Sequence, residues 1–200
     1  MMQFNMKAIV TSFITLLMSF VTSTYDACSS KLNVYPLEGK VEFTDTYKPD
    51  ASMLIPAAYT SPKGTIEGQY RINGVIAGNR CRIECVSIHP TKGLLIGKTW
   101  QSKNGFQQHV LVNNNKARTF KDPRYHVRRA LCCDNSNRLY IVESRFPVTL
   151  NKFAEELSGR YRVAVNLDMG PWGYGWVGDD HLFLWAYFFK GRQTSWIYCK

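Results

Sequence analysis

Asn166 and Asp168 close a run of β-formers, Arg162-Val163-Ala164-Val165-Asn166-Leu167-Asp168. A strand turns residues i and i+2 to one face, so this amide and this carboxylate can share a ligand. Directly beyond, Gly170, Gly173, Gly175 and Gly178 interleave with Trp172, Tyr174 and Trp176. Glycine lets a backbone bend sharply and come close to a ligand. Aromatic faces beside an amide and a carboxylate suit a sugar ring, whose C–H faces pack on π-systems while its hydroxyls take hydrogen bonds. The same residues also describe a glycine-rich hairpin whose aromatics are core and whose Asp168 caps a turn. Spacing alone leaves both readings open.

Basic residues offer the complementary half of a site. Lys121, Arg124, Arg128 and Arg129 gather ahead of the β-prone run Arg129–Cys133. Neighbouring residues of a strand face opposite ways, so one of Arg128 and Arg129 can point inward. A guanidinium there would hold a phosphate through two parallel hydrogen bonds. Lys121 and Arg124 read as a solvated face. The chain carries 25 Lys and Arg against 15 Asp and Glu, a net charge of +10 that invites an anionic partner. Nucleic acid is not expected to be that partner, because the cations are dispersed and no nucleic-acid-binding motif is present. Nor is there a G-x-S-x-G elbow, an H-E-x-x-H helix or a P-loop. His89, His109, His126 and His181 are scattered, and His181 beside Asp179-Asp180 reads as a polar loop as readily as a metal ligand. No metal and no cofactor are expected.

The elements that must position these groups are mostly strands. With 200 residues the chain is ample for one domain with a real core, and 20% charged residues with 14% aromatics exclude disorder. Short β-prone runs fall at 41–43, 53–59, 65–72, 82–88, 94–100, 109–112, 129–133 and 139–143, punctuated by Pro, Gly, Asn and Lys. Leu150, Phe153, Ala154 and Leu157 then recur at i, i+3, i+4 and i+7, which predicts an amphipathic helix capped by Thr149 and ended at Ser158-Gly159. Strands on both sides of one helix predict an α+β domain, a mostly antiparallel or mixed sheet with one well-defined amphipathic helix at about 150–158 packed on it. The tail, His181 to Lys200, reads as a β-hairpin with arms Leu182–Phe189 and Thr194–Tyr198, turning at Lys190-Gly191-Arg192.

At the N-terminus, Lys7 precedes the apolar run Ala8–Val21, short for a bilayer span but right for a signal-peptide core, with small residues at Val21-Thr22-Ser23. The expected organisation is a signal peptide over 1–23 and one domain over 24–200, secreted or periplasmic, with no stable membrane span after cleavage. Lipid anchoring at Cys28 is a minor option, since Tyr25-Asp26-Ala27 matches a lipoprotein box poorly. Export permits disulfides among Cys28, Cys81, Cys85, Cys132, Cys133 and Cys199, and the expectation is some disulfides and some buried thiols. The alternation in Cys81–Cys85 puts both of those thiols on one face of a strand. Neither connectivity nor oligomeric state follows from the sequence.

The order of motifs from Arg128 to Gly170 resembles the C-terminal core of the phosphodiester glycosidase family. Its pieces are the Arg129-Ala130 strand, a turn at Asp134–Asn137, the Leu139–Val142 strand, Thr149-Leu150 with Phe153-Ala154, and Asn166-Leu167-Asp168. Gly105-Phe106-Gln107-Gln108 with Leu111-Val112 resembles the stretch before that Arg strand, and Pro56-Ala57-Ala58-Tyr59 with Gly64–Gly68 the family's N-terminal segment. Met169 stands where the family has glycine, and Pro171-Trp172 replaces small polar residues. The chain looks most like the short, secreted bacterial members.

That resemblance implies cleavage of a sugar-1-phosphodiester to free sugar and a phosphate monoester, a good leaving group that needs little general-acid help. Asp168 would then stabilise the oxocarbenium-like centre or activate water, and Arg129 would take up charge on the departing phosphate. Asn166 would bind sugar hydroxyls, Gly170 would give backbone access, and Gln108 would be a polar contact. Trp172 and Tyr174 would stack on the sugar, with Glu67 as a second acid. The alternative is a non-catalytic secreted module binding a glycan or phosphoglycan, for which an aromatic platform needs no acid or base.

Overall fold

The computed structural model describes residues 32–169, 173–182 and 192–200. The expected signal peptide, Cys28, Gly170, Trp172 and most of the first tail arm lie outside them. Numbered along the chain, the strands form three antiparallel sheets. The first runs β1 (Leu32–Pro36), β12 (Leu139–Ser144), β11 (Arg129–Cys133), β13 (Val163–Asn166), β9 (Val110–Asn113), β10 (Lys116–Ala117). The second runs β15 (Asp180–Leu182), β14 (Gly175–Val177), β3 (Met53–Pro56), β16 (Trp196–Cys199), β2 (Val41–Thr44). The third runs β5 (Val75–Ala77), β4 (Tyr70–Ile72), β8 (Asn104–Gln107), β6 (Cys85–His89), β7 (Gly93–Gly97).

Strand alternation sorts the first sheet's side chains onto two cores. Leu131, Cys133, Val163 and Val165 face a core shared with Phe43, Ile55 and Ile197 of the second sheet and Val86 and Phe106 of the third. Phe43 and Phe106 stack with centroids 5.0 Å apart, joining those two sheets. Ala130, Cys132 and Ala164 face the other way, against Leu150, Phe153, Ala154 and Leu157 of the helix α1 (Leu150–Ser158). Strands buried on both faces read as apolar runs, as Ala130–Cys133 of β11 and Val163–Val165 of β13 do.

The α+β expectation is corrected by this arrangement. Three antiparallel sheets carry the described chain and the one described helix is nine residues long, so the domain is essentially all-β. Thr149 caps α1 by accepting from the Lys152 N–H at 3.2 Å, but Gly159 takes a right-handed conformation (φ −75°), so no left-handed glycine ends it. Of the expected tail hairpin, the second arm lies within the described residues. β16 pairs with β2 on one side and β3 on the other, filling an interior position in its sheet. Cys81 precedes β6 in an exposed loop while Cys85 is buried inside the strand, so the two thiols do not share a strand face. The five described cysteines are all free. No described helix is long and apolar enough to cross a membrane.

One residue of α1 sets a pH response. Both carboxylate oxygens of Glu156 are shut from water and have no hydrogen-bond partner among the described residues. Burial raises its pKa above the ordinary 4.5, against the opposing charges of Lys152 and Arg160. The fold thus prefers the protonated acid: this contribution is full below pH 4.5 and is lost as pH rises through the raised value. Glu156→Gln will flatten that slope and raise stability near pH 7 by about 1 kcal/mol or less, read from urea midpoints at pH 4 and pH 7. A lower midpoint at pH 7 would show that the carboxylate has a stabilising partner.

Candidate functional site

β13 carries the site at its C-terminal end. It lies between β11 and β9, and the ladder runs past its last residue: the Asn166 N–H donates to the His109 carbonyl and the Leu167 N–H to that of Arg129, both at 2.9 Å. The chain then leaves the sheet to meet the segment after β3. The Asp168 N–H donates to the Ala57 carbonyl at 3.0 Å, and Asp168 Oδ2 accepts from the Thr60 N–H at 3.0 Å. Asn166 Nδ2 donates to Tyr59 Oη at 2.5 Å and to the Leu167 carbonyl at 3.3 Å. Asn166 and Asp168, 3% and 8% exposed, therefore grip consecutive residues of one segment.

Tyr59 is the new member. Burial first, then the Asp168 carboxylate, push its pKa up to about 12, while Arg128 and the Asn166 hydrogen bond pull the other way. The phenol stays protonated at physiological pH and holds a polar group against the amide of Asn166. The His109 ring lies 6.2 Å from that of Tyr59. The segment 57–68 closes on itself through a bridge between Thr60 and Ile66, and the Glu67 N–H donates to the Tyr59 carbonyl at 2.7 Å. Glu67 is thus brought beside Tyr59, with its side chain exposed. Gln108, one residue before His109, is 1% exposed; its Oε1 accepts from the His109 N–H and its Nε2 has no partner among the described residues.

The two arginines face opposite ways, as adjacent strand residues must. Arg129 is 0% exposed, directly opposite Glu143 of β12. Its Nε and Nη2 donate to Glu143 Oε2 at 2.9 and 2.6 Å, and its Nη1 to the Gly173 carbonyl at 2.6 Å. Burial lowers its pKa from the ordinary value, opposed by Glu143 and more weakly by Tyr35 and Asp168. Arg129 thus sits within electrostatic reach of Asp168, but its fork is occupied. Arg128, on the other face, donates from Nη2 to the Arg124 carbonyl at 2.8 Å and lies 3.5 Å from Asp122 Oδ2.

The aromatic array is committed elsewhere. Tyr174 is buried, its hydroxyl 2.9 Å from His181 Nδ1 and its ring stacked on that imidazole. Trp176 donates from its indole to the Ala51 carbonyl at 2.8 Å. The first pair of contacts ties the approach to β14 to β15, and the second ties β14 to the segment before β3. Among the described residues, no three His, Cys, Asp or Glu side chains gather as a metal site.

Sequence reasoning missed Glu143, Thr60 and the role of Tyr59. The only signal for Tyr59 was its place in the Pro56-Ala57-Ala58-Tyr59 stretch; nothing marked Glu143, whose pairing depends on strand register.

The fold and site define a three-sheet antiparallel β domain with an Asn-x-Asp pair at the end of a central strand. Neither a family model nor a curated protein sequence matches the chain. Among solved structures, the fold is similar to that of the zebrafish N-acetylglucosamine-1-phosphodiester alpha-N-acetylglucosaminidase catalytic domain, auto-inhibited by its pro-peptide. The TM-score is 0.62 at 12% identity, over 84% of this chain and 82% of that one. It is also similar to a hypothetical protein from Synechocystis, with TM-score 0.53 and 12% identity over 86% of this chain and 58% of that one.

Proposed function

We propose that this chain is an exported hydrolase that cleaves the glycosidic bond of a sugar-1-phosphodiester. The observation that carries the reading is the convergence of Asn166 and Asp168 on Tyr59-Thr60, within a fold similar to a catalytic domain of that activity. In this reading water adds to the anomeric carbon as the bond from that carbon to the phosphate oxygen breaks. The phosphate leaves as a monoester with the bonding pair, and Asp168 accepts the proton of the water. Asn166 and Tyr59 orient sugar hydroxyls. Arg129 acts from behind as a positioning residue, holding Glu143 and the Gly173 carbonyl while its charge favours the ionised Asp168. Gln108 and Glu67 would be further polar contacts to the sugar, and Tyr174, stacked on His181, supports the approach to β14. Residues 1–23 direct the chain to the periplasm or the exterior and are removed there.

The test is release of reducing sugar from a panel of sugar-1-phosphodiesters by the protein starting at Thr24. Turnover of at least one substrate is the expected result. A folded protein that binds such ligands but never releases sugar would be a glycan-binding module instead.

A further inference from the structure

A cleft of about 740 Å3 opens beside His109. Arg80, Arg82, Lys98 and Arg118 line it together with His109, and Glu84 is its one acid among the described residues. Arg118 is ion-paired with Glu84, while Arg80, Arg82 and Lys98 form no ion pair among the described residues. Four cations against one carboxylate is a much steeper ratio than the chain's 25 against 15. Ordinary solvated faces mix the two signs, and a cleft of one sign concentrates anions.

The basic rim is also built rather than loose. Gln107, 1% exposed, uses its whole amide on the backbone around it. Its Oε1 accepts from the N–H groups of Gln69 and Cys81 at 2.9 and 2.8 Å, and its Nε2 donates to the carbonyls of Cys81 and Ile83 at 3.1 and 2.9 Å. Arg80 Nη2 donates to the Lys98 carbonyl at 2.8 Å. A buried side chain that fixes an otherwise exposed loop, with Arg80 and Arg82 on either side of the fixed residue, lowers the ordering cost of binding there. His109 joins the two regions, since its carbonyl accepts from the Asn166 N–H, its ring lies 6.2 Å from that of Tyr59, and the residue lines the cleft.

We infer that this cleft binds a second phosphate of the ligand whose sugar lies at Asn166 and Asp168, so that the substrate is a chain of sugars joined by phosphodiesters. The inference rests on the reading under Proposed function and adds the substrate's length and charge. Guanidinium groups favour phosphate because each can present two parallel donors to its oxygens, and the leaving monoester carries its anionic chain toward the cations.

Affinities would be measured by calorimetry at low salt for three probes: inorganic phosphate, a sugar-1-phosphodiester with one phosphate, and a synthetic oligosaccharide with two. Proteins would be the parent, Arg80→Gln/Arg82→Gln, and Lys103→Gln/Lys152→Gln as a control of equal net charge. The two-phosphate probe should bind the parent about tenfold or more tighter than the one-phosphate probe, two lost charge-assisted contacts being sufficient for that. The advantage should vanish in Arg80→Gln/Arg82→Gln alone and shrink with added salt. Equal affinity for both sugar probes, with the one-phosphate probe still cleaved, overturns the cleft and leaves the hydrolase standing. No cleavage of either probe or of any member of the sugar-1-phosphodiester panel overturns the hydrolase. Phosphate binding that depends on Arg80 and Arg82 would then keep the cleft as a free-phosphate site and sink the linked-chain inference. A short single-stranded RNA of matched phosphate count that binds as tightly as the oligosaccharide would also overturn it.

Discussion

An Asp168→Asn variant will lose about 10^2- to 10^4-fold in turnover of any sugar-1-phosphodiester the parent cleaves, the range for removing a positioned acid–base group. The substitution is isosteric. The Asp168 backbone bond to Ala57 does not depend on the carboxylate, and an amide carbonyl can still accept from the Thr60 N–H. The melting temperature should therefore move by only a few degrees, which separates lost chemistry from lost fold. KM should change much less than kcat, because in the proposed reading Asn166 and Tyr59, joined by their own hydrogen bond, would still orient the sugar hydroxyls. Parental turnover in the variant would remove Asp168 from the chemistry. A weakened affinity in a protein that never turned over would assign it to binding alone.

Arg129→Met will destabilise the fold by about 3–5 kcal/mol, the cost of stranding one member of a buried ion pair. Glu143 would keep a negative charge between sheets with its two donors gone, and the Gly173 carbonyl would lose a third. Glu143→Leu should cost a similar amount by stranding the guanidinium. The double substitution Arg129→Met/Glu143→Leu should recover most of the loss, since apolar groups of like volume replace such pairs at little cost. Urea midpoints of the four proteins form a closed cycle. A double variant no more stable than either single one would show that Arg129 acts chiefly through Gly173. If only the double variant folds well, its turnover also tests whether the buried charge matters beyond stability.

What could be read from the chain alone followed the range of each signal. The helix at 150–158 and the strand at 129–133 announce themselves by local periods, and α1 and β11 lie there. The same strong 3.6-residue period misled the class assignment, because one nine-residue helix covers a single face of one sheet. β8, Asn-Gly-Phe-Gln, has no β-former pattern; its Gln107 is buried for the loop it holds, which no window of sequence reports. Asn166 and Asp168 were legible as a pair because their spacing is two. Their partners Tyr59 and Thr60 lie 107 and 108 positions away, and only the meeting of two sheets brings them in. The opposite facing of Arg128 and Arg129 was legible; that the inward one would be claimed by Glu143 was not, since register is a property of strand pairs.

The interior place of β16 has a kinetic consequence. Its Tyr198 hydroxyl donates to Glu42 across 156 positions, and on its other flank it pairs with β3. Without residues 196–199 nothing in the second sheet joins β2 to β3, so these two strands must wait with unpaired edges. Such long-range closure raises contact order and slows folding toward the millisecond-to-second range of β sandwiches and barrels. Open edges in that interval recruit other chains as readily as their own. Refolding yield should therefore fall with protein concentration, and a short peptide matching residues 194–200, supplied in excess, should compete for the gap and trap the sheet half-built.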